Sequence, residues 1–313
     1  MATNFKHVLA AMSMVAVAAS GAVEAGGTSD VQTLPEVSVG RIERLANFSS
    51  KWVDARHVDV WLPEGYSAGK RYQVLYMHDG QMLFDASKSW NQQAWDVHLS
   101  VARLVAAGRI PDTLIVGIWN NGKYRHSEYF PQKFLPLMPQ PQRERLLQAA
   151  LQNKPQSDAY LRFIVEELKP AIDARYATRP EAASSFLMGS SMGGLISVYA
   201  MNEYPQVFGG AAGLSTHWIG QHKPNAAIPL AGFNYLRAHL AAPETHRLYQ
   251  DHGTTELDAL YAPYQVMVND LARERGYVDG VNFETRVFDG SGHNEKAWAE
   301  RLEIPLEFLL RKP

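Results

Sequence analysis

The fold is decided by the stretch Ser184-Ser185-Phe186-Leu187-Met188-Gly189-Ser190-Ser191-Met192-Gly193-Gly194-Leu195-Ile196-Ser197-Val198-Tyr199-Ala200. Residues 184–188 predict a buried strand, and the residues from Gly194 onward predict a helix. Between them stands the pattern G-x-S-x-G, whose small residues permit a sharp, strained turn from strand to helix. Such a turn presents the hydroxyl of its central residue, Ser191, above the edge of a sheet.

The same pattern occurs a second time, at Gly65-Tyr66-Ser67-Ala68-Gly69. That match lies in a turn between two predicted strands, where ordinary loop chemistry explains its residues. Ser67 is therefore set aside as a nucleophile. For Ser191 the alternative is a helix N-cap serine in a tight turn. Ser190 is a weaker candidate because it does not occupy the central position of the pattern.

Strand-length apolar runs alternate with helical patterns on both sides of this turn. An alternating segment at 56–62 predicts a half-buried edge strand. Short apolar runs typical of central parallel strands follow at 74–77, 114–118, 186–188 and 210–212. Helical spacing extends over 92–107, 157–175, 194–202, 263–275 and 294–310, with Ser157 as a plausible N-cap. The alternation predicts an α/β fold with a mostly parallel central sheet and helices on both faces.

The N-terminus has the layout of a secretory signal. Lys6 and His7 precede an apolar run at 8–19, and Ser20-Gly21-Ala22-Val23-Glu24-Ala25 follows it. A run of about a dozen residues is too short to span a bilayer. We expect a signal peptide at 1–25, with Ala18 or Ala22 as other cleavage sites, and a secreted or periplasmic protein. The competing interpretation is a disordered amphipathic start or an uncleaved anchor.

The remaining 26–313 are expected to form one domain, with an insertion over the sheet at 131–155 that holds a short helix at 143–151. An apolar fraction of 46% is ordinary for a globular protein with a sizeable core. The net charge of -2 provides no basic field, so a nucleic-acid partner is not expected. No later segment is apolar enough to cross a membrane.

Cysteine is absent, which excludes disulfides, thiolate nucleophiles and cysteine-ligated metals. A metal site built on His78, Asp79, Asp251 and His252 is conceivable. However, no ligand pair among them has the i, i+4 spacing of a helical metal motif. We therefore expect neither a metal nor a cofactor.

A serine hydroxyl becomes a strong nucleophile only when an imidazole takes its proton, and a carboxylate must orient that imidazole. His293 follows a strand-like run at 283–288 and a flexible loop, Asp289-Gly290-Ser291-Gly292, just before the last helix. This position makes it the candidate base, with a polar loop histidine as the alternative. His217 and His252 lie on predicted strand-end loops and could line the pocket.

The acid is expected after the strand predicted at 246–250. Three carboxylates follow there: Asp251, Glu256 and Asp258. Asp251 comes at the strand end, whereas the other two are far enough into the loop to reach back. Asp258 is preferred and Glu256 is the alternative acid; any of the three could instead cap the following helix.

Oxyanion stabilisation requires two backbone N–H groups. One comes from the residue after the nucleophile, Met192. The other is expected in the loop His78-Asp79-Gly80-Gln81, where Gly80 lets the backbone turn inward and Gln81 offers its N–H.

Taken together, the chain resembles the Putative esterase (esterase D-like) family of α/β-hydrolases, which includes feruloyl and acetylxylan esterases, siderophore esterases, S-formylglutathione hydrolase and mycolyltransferases. The resemblance runs from Ala55 to the C-terminus. It rests on 74–81, 116–118, Arg125 with 128–131, 189–194, 251–254 and 292–293.

This resemblance implies the α/β-hydrolase fold, Ser191 and His293 in a triad, and oxyanion N–H groups on Gln81 and Met192. It leaves the acid open. It also suggests that Arg125 and Glu128 form a structural pair that holds the loop after the fourth strand.

The sequence therefore predicts a secreted serine carboxylic-ester hydrolase that forms an acyl-enzyme on Ser191. Its substrate would be a small-molecule or polysaccharide-linked ester, such as a feruloyl or acetyl ester. Two alternatives stay open: an acyltransferase with the same triad, and a non-catalytic binding protein on the same fold. Four aromatic residues near loops could stack on sugar or aromatic rings: Trp95, Trp119, Trp218 and Tyr261.

Overall fold

The computed structural model describes residues 33–312. The signal peptide predicted at 1–25 lies outside this range. From Leu34 onward the chain forms one compact unit. Within 33–312, no helix has both the length and the apolar character that crossing a membrane requires.

Eight strands form one sheet: β1 (Arg41–Phe48), β2 (Arg56–Leu62), β3 (Gln73–His78), β4 (Thr113–Ile118), β5 (Ser185–Ser190), β6 (Gly210–Leu214), β7 (Arg247–Gly253) and β8 (Phe283–Phe288). Their order is β1-β2-β4-β3-β5-β6-β7-β8. β2 pairs antiparallel with β1 and β4, and the pairs from β4 through β8 are all parallel. The predicted mostly parallel α/β sheet is confirmed.

Ten α-helices accompany the sheet in the part of the chain that the structure describes: α1 (Val97–Ala106), α2 (Arg125–Tyr129), α3 (Gln140–Ala149), α4 (Ser157–Arg162), α5 (Lys169–Arg175), α6 (Met192–Glu203), α7 (Ala227–His239), α8 (Ala262–Glu274), α9 (Glu295–Arg301) and α10 (Glu303–Leu310). Successive strand residues point to opposite faces, so a strand covered on both sides contributes to two cores. In β3, Val74 and Tyr76 belong to one hydrophobic core, which includes residues of α4, α6 and α8, whereas Leu75 and Met77 belong to a second core, which includes residues of α1 and α10. Helices therefore cover both faces, as predicted.

The helical region predicted at 157–175 is interrupted by a wider π-helical turn, Phe163–Leu168. Pro170 follows as the second residue of α5, after Lys169. A proline ring clashes with the carbonyl four residues earlier in a regular α-helix, and a wider turn relieves the clash. The N-cap prediction was wrong: Gln156 precedes the helix, and the Ser157 hydroxyl instead accepts the N–H of Gln132 at 2.8 Å.

The segment 131–155 folds into a short 3-10 helix, Gln132–Leu137, followed by α3. Phe134 packs on Tyr235 of α7 with a ring-centroid distance of 5.3 Å, and Leu146 and Leu151 are fully buried. These contacts attach the segment to α7, a helix that the sequence patterns did not predict.

Candidate active site

Ser191 lies at the junction between β5, which ends at Ser190, and α6, which begins at Met192. Its φ of 55° and ψ of -123° are strained for a residue with a side chain. The Ser191 N–H donates to the carbonyl of Leu214 at 2.9 Å, which fixes the turn. A Cβ at Gly189 would lie only 2.6 Å from the carbonyl carbon of Gly193, so this turn requires glycine there.

His293 follows β8 and precedes α9. Its Nδ1 lies 2.6 Å from Oδ1 of Asp258. The imidazole also has edge-on contacts with the rings of Tyr261 and Trp298, at centroid distances of 5.8 and 5.1 Å. One hydrogen bond and two ring contacts therefore fix its orientation, with Nε2 on the side opposite Asp258.

Asp258 is fully buried in the 3-10 turn Glu256–Leu260 that follows β7. While its Oδ1 faces His293, its Oδ2 accepts hydrogen bonds from the Ser215 hydroxyl and the Gly253 N–H, both at 2.6 Å. Both carboxylate oxygens of this buried residue thus have protein partners. Hydrogen bonds of this kind hold the carboxylate plane in one orientation toward the imidazole.

The other two acid candidates have different partners. Glu256 Oε2 accepts the backbone N–H of His293 at 2.7 Å, so Glu256 holds the main chain of the histidine loop. Asp251 forms a buried ion pair with Arg301, with 2.9 Å between Oδ1 and Nη2. Burial raises the pKa of Asp251, and the Arg301 guanidinium opposes that rise.

Arg301, in α9, links three segments behind His293. Besides its bonds to Asp251, its Nη2 donates to the Ser215 hydroxyl at 3.0 Å, and its Nη1 donates to the Ser291 hydroxyl at 2.8 Å. These contacts connect the ends of β6 and β7 with the histidine loop. Sequence reasoning missed both Arg301 and Ser215, since neither belongs to a short motif.

The two backbone N–H groups predicted to bind an oxyanion belong to Met192 and Gln81, which follow the carboxyl ends of β5 and β3. Met192 is the first residue of α6, where N–H groups have no acceptor within the helix and the helix dipole is positive. Gln81 lies in the 3-10 turn Gly80–Met82. The Met82 N–H closes this turn by donating to the Asp79 carbonyl at 2.9 Å, and the Gln81 N–H takes no part in that bond. A Cβ at Gly80 would come within 2.5 Å of the Gly117 carbonyl carbon, which explains the glycine.

The carboxylate of Asp79 lies close to the turn at Ser191: a Cβ at Gly193 would approach Asp79 Oδ2 to 3.3 Å. Asp79 pairs with Arg125 through two bonds of 2.7 Å and accepts a third from Asn120, also at 2.7 Å. Burial alone would raise the pKa of Asp79. The charge and hydrogen bonds of Arg125, together with the Asn120 bond, outweigh it and lower that pKa.

The expected pair between Arg125 and Glu128 was wrong. Glu128 is fully buried and pairs with Arg56 of β2 through bonds of 2.7 and 2.8 Å. Arg125 instead reaches the loop after β3. Both arginines are held by carboxylates that are distant in sequence, which local spacing does not reveal.

The four residues considered for a metal have other partners. Asp79 and Asp251 pair with arginines, His78 Nδ1 lies 2.8 Å from the Tyr160 hydroxyl, and His252 Nδ1 lies 2.6 Å from the Gly253 carbonyl. Across residues 33–312, no group of three or more histidine or carboxylate side chains is arranged to hold a metal ion.

A cleft of about 640 Å³ opens over Ser191 and His293. Its lining combines polar side chains with aromatic ones: Asp79, Asn91, Gln93, Asn120, Arg125, Glu295, Trp90, Trp95 and Trp298. Of the four aromatic residues proposed for stacking, only Trp95 lines this cleft. Trp119 donates its indole N–H to Asp59, and the side chains of Trp218 and Tyr261 are buried. Trp90, which the sequence did not single out, is 83% exposed beside the cleft.

A family model described as Putative esterase matches residues 49–308. Among curated proteins, the uncharacterized protein YjcH of Bacillus subtilis (strain 168) is 26% identical over 222 residues, which cover 70% of this chain and 75% of that protein. The family model spans most of the domain, including every residue of the site described above.

Two solved structures illustrate the fold. A ferulic acid esterase is 20% identical with a TM-score of 0.63, over 87% of this chain and 98% of that chain. The enterochelin esterase of Shigella flexneri is 15% identical with a TM-score of 0.62, over 87% of this chain but only 59% of the Shigella chain. At these identities the likeness establishes the α/β-hydrolase architecture.

Proposed function

Because the chain belongs to the Putative esterase family and is thus a carboxylic ester hydrolase, we propose that it works through an acyl-enzyme on Ser191. The observation that carries this proposal is the 2.6 Å contact between Asp258 Oδ1 and His293 Nδ1, in a cleft that Ser191 also lines. With Nδ1 committed to Asp258, the imidazole has Nε2 left to act as a base.

In the first half of the reaction, His293 Nε2 takes the Ser191 proton while Oγ bonds to the ester carbonyl carbon. The carbonyl oxygen becomes an oxyanion that the N–H groups of Gln81 and Met192 stabilise. A donor of this kind contributes on the order of 10²- to 10³-fold in rate. When the intermediate collapses, the alcohol leaves with the proton from His293.

In the second half, His293 takes a proton from water while the water oxygen bonds to the acyl carbon. When this second intermediate collapses, the bond between the acyl carbon and Ser191 Oγ breaks, His293 returns the proton to Oγ, and the carboxylic acid leaves. Asp258 stabilises the imidazolium that forms in both halves. Glu256 and Arg301 act indirectly, since they hold the histidine loop. These steps use the groups of the chain and water.

We propose that the substrate is an ester of a sugar with either an aromatic acid or acetic acid. The exposed indole of Trp90 offers a flat face on which a sugar or phenolic ring can stack. Next to it, Asn91 donates to the Glu295 carboxylate at 2.6 Å, which places polar groups beside the ring. The ferulic acid esterase among the similar structures agrees with this substrate class. The signal-like sequence at 1–25 supports export to a compartment where such esters occur.

The mechanism is tested by intact-mass analysis after reaction with a fluorophosphonate probe. Wild type is compared with Ser191→Ala and His293→Ala, and with Ser67→Ala as a matched control, since Ser67 occupies the other G-x-S-x-G on an exposed turn. We expect one adduct in wild type and Ser67→Ala, none in Ser191→Ala, and a strongly slowed reaction in His293→Ala. An adduct that persists in Ser191→Ala would refute the assignment.

A further inference from the structure

The loop that carries Gln81 is held by side chains that belong to neither the triad nor the loop itself. Asp79, two residues before Gln81, has a φ of 57°, which is uncommon for a residue with a side chain. Its carboxylate accepts two bonds from Arg125 and one from Asn120, each of 2.7 Å. Its N–H donates to the Tyr129 hydroxyl at 3.2 Å. Both the side chain and the main chain of this left-handed residue are therefore fixed from outside.

Two neighbouring segments supply these partners. Arg125 and Tyr129 lie at opposite ends of α2, and the guanidinium carbon lies 5.1 Å from the centre of the Tyr129 ring. Asn120 belongs to the loop after β4, and its backbone N–H also donates to Oε1 of Gln81 at 3.2 Å. The loop is thus held at Asp79 by α2 and at both Asp79 and Gln81 by Asn120.

The same carboxylate lies against the turn that carries the second predicted oxyanion donor. A Cβ at Gly193 would lie 3.3 Å from Oδ2 of Asp79, so this oxygen stands close to the backbone next to Met192. Arg125 Nη2 donates to that oxygen at 2.7 Å. Burial disfavours the charge of Asp79, but the charge and hydrogen bonds of Arg125 outweigh burial and lower the pKa of this carboxyl. A charged pair therefore lies between the two backbone segments that offer the N–H groups.

We propose that Arg125 is a positioning residue for the reaction: through Asp79 it keeps the two oxyanion N–H groups directed at one point. This inference rests on the proposed acyl-enzyme function and deepens it. Arg125 lines the cleft, and its Nε and Nη2 are both bonded to Asp79. In this role it acts through Asp79 and the backbone, and it needs no contact with the substrate.

The arrangement has a specific kinetic consequence. Oxyanion donors are effective when they already lie within hydrogen-bond distance of the position that the carbonyl oxygen takes in the transition state. The bonds to Asp79 hold the loop before any substrate arrives, so the donors need no rearrangement during the reaction. Loss of the pair should therefore lower kcat and leave the binding of the ground-state ester nearly unchanged.

The test compares an oxygen ester, p-nitrophenyl acetate, with its sulfur counterpart, O-(p-nitrophenyl) thionoacetate. Sulfur is a weak hydrogen-bond acceptor, so the thionoester gains little from correctly placed N–H groups. The ratio of kcat/KM for the oxygen ester to kcat/KM for the thionoester therefore reports on the oxyanion donors. A smaller folded fraction of enzyme lowers both rates equally and leaves this ratio unchanged.

The variants differ in how much of the pair they keep. Arg125→Met removes the guanidinium, and Arg125→Lys keeps the charge without the two-bond geometry. Asp79→Asn weakens the pair, and asparagine tolerates the left-handed conformation of this position. Arg56→Lys is the matched control, since Arg56 forms the same kind of two-bond pair with Glu128 of α2, and that pair joins the helix to β2. Circular dichroism and thermal melts show that each variant is folded.

We expect Arg125→Met and Asp79→Asn each to lower kcat for the oxygen ester about 10- to 100-fold, with KM within about 3-fold. The ratio of oxygen ester to thionoester should fall about 10-fold in both, less in Arg125→Lys, and not at all in Arg56→Lys. Since the two residues act as one unit, the double variant Asp79→Asn/Arg125→Met should be no slower than the slower single variant.

An unchanged ratio in folded Arg125→Met would overturn the inference. A loss confined to KM would also overturn it, because Arg125 would then bind the substrate. An equal fall of the ratio in Arg56→Lys would do the same, since any disturbance of α2 would then have this effect. Ser191→Ala separates the two proposals: if it stays active, the acyl-enzyme function itself fails. If Ser191→Ala is inactive while Arg125→Met keeps the wild-type ratio, only the positioning role fails.

Discussion

Asp258 and His293 are joined by a 2.6 Å contact between Oδ1 and Nδ1, and the second oxygen of Asp258 is held by Ser215 and Gly253. The neighbouring carboxylate, Glu256, meets the same histidine only at its backbone N–H. One loop therefore supplies two acidic residues that serve His293 in different ways, one at the imidazole and one at the main chain.

This difference predicts unequal effects of two isosteric changes. Asp258→Asn places an amide opposite Nδ1 and favours the wrong imidazole tautomer, which should lower kcat by about 10⁴-fold. Glu256→Gln keeps an oxygen that can accept the His293 N–H, so kcat should fall by less than about 10-fold. Steady-state kinetics with p-nitrophenyl acetate measures both. Equal losses, or the larger loss in Glu256→Gln, would contradict the assignment of Asp258 as the acid.

Ser215 is predicted to contribute to both stability and activity. Its hydroxyl donates to Asp258 and accepts from the Trp298 indole N–H at 2.9 Å as well as from Arg301. Ser215→Ala leaves a buried indole N–H without its acceptor, so the free energy of unfolding should fall by about 1–3 kcal/mol. It also removes one of the two donors to Asp258 Oδ2, so kcat should fall.

Urea denaturation and kinetics test this, with the exposed Ser67→Ala as the control. A Ser215→Ala protein with wild-type stability and activity would show that the network behind Asp258 is dispensable.

His78 predicts how stability depends on pH. Its side chain is almost fully buried, and no residue among 33–312 bonds its Nε2. Burial lowers its pKa to about 4, against 6.5 in the unfolded chain. Between these values the unfolded state binds more protons, so stability falls as the pH falls through this window. At pH 4.5 about 2.5 kcal/mol should be lost through this residue.

The His78→Asn side chain can still bond the Tyr160 hydroxyl but does not titrate. Between pH 7 and pH 4.5, the free energy of unfolding should therefore fall by about 2.5 kcal/mol less in His78→Asn than in wild type. Urea titrations at the two pH values measure the difference. His239→Asn, at an exposed position on α7, is the matched control and should keep the wild-type loss. Identical pH dependence in wild type and His78→Asn would mean that His78 does not titrate as its burial requires.

Trp90 tests the proposed substrate class. Trp90→Ala should raise KM for a feruloylated sugar up to about 10-fold, the size of one lost aromatic stacking contact. Turnover of p-nitrophenyl acetate, which lacks a sugar, should stay within about 2-fold. Trp52→Ala, outside the cleft, is the control. Unchanged KM for the sugar ester, or equal losses on both substrates, would argue against a stacking role for Trp90.

The sequence predicted the sheet well because buried strands leave a strong local signal. The apolar runs at 74–77 and 114–118 lie within β3 and β4, and the alternating run at 56–62 coincides with β2. The prediction that 56–62 is a half-buried edge strand was wrong, because β1 forms the edge and β2 is buried between β1 and β4. Helix α7 was missed because Pro229 and Gly232 fall within it, although a proline in the first turn is tolerated. Helix α1 begins at Val97, later than predicted, because Asp96 takes a left-handed conformation and ends the loop beside the cleft.

The geometry of the candidate site was predictable where it depends on a local turn, and less so where it depends on contacts across the sheet. The elbow at Ser191 has a sequence pattern, since a Cβ at Gly189 would lie 2.6 Å from the backbone of Gly193 and glycine is required there. The direction in which Asp258 and Glu256 point is set by Ser215 and Gly292, which belong to distant segments. The pairing of Arg125 with Asp79 likewise joins residues 46 positions apart.

The most direct test of the account is detection of the acyl-enzyme itself. Wild type is mixed with a p-nitrophenyl ester, quenched in acid within the first turnovers, digested and mapped by mass spectrometry. The account predicts the mass of the acyl group on the peptide that contains Ser191, and its absence after quenching Ser191→Ala. Rapid turnover with the acyl group on another residue, or undiminished turnover in Ser191→Ala, would contradict it.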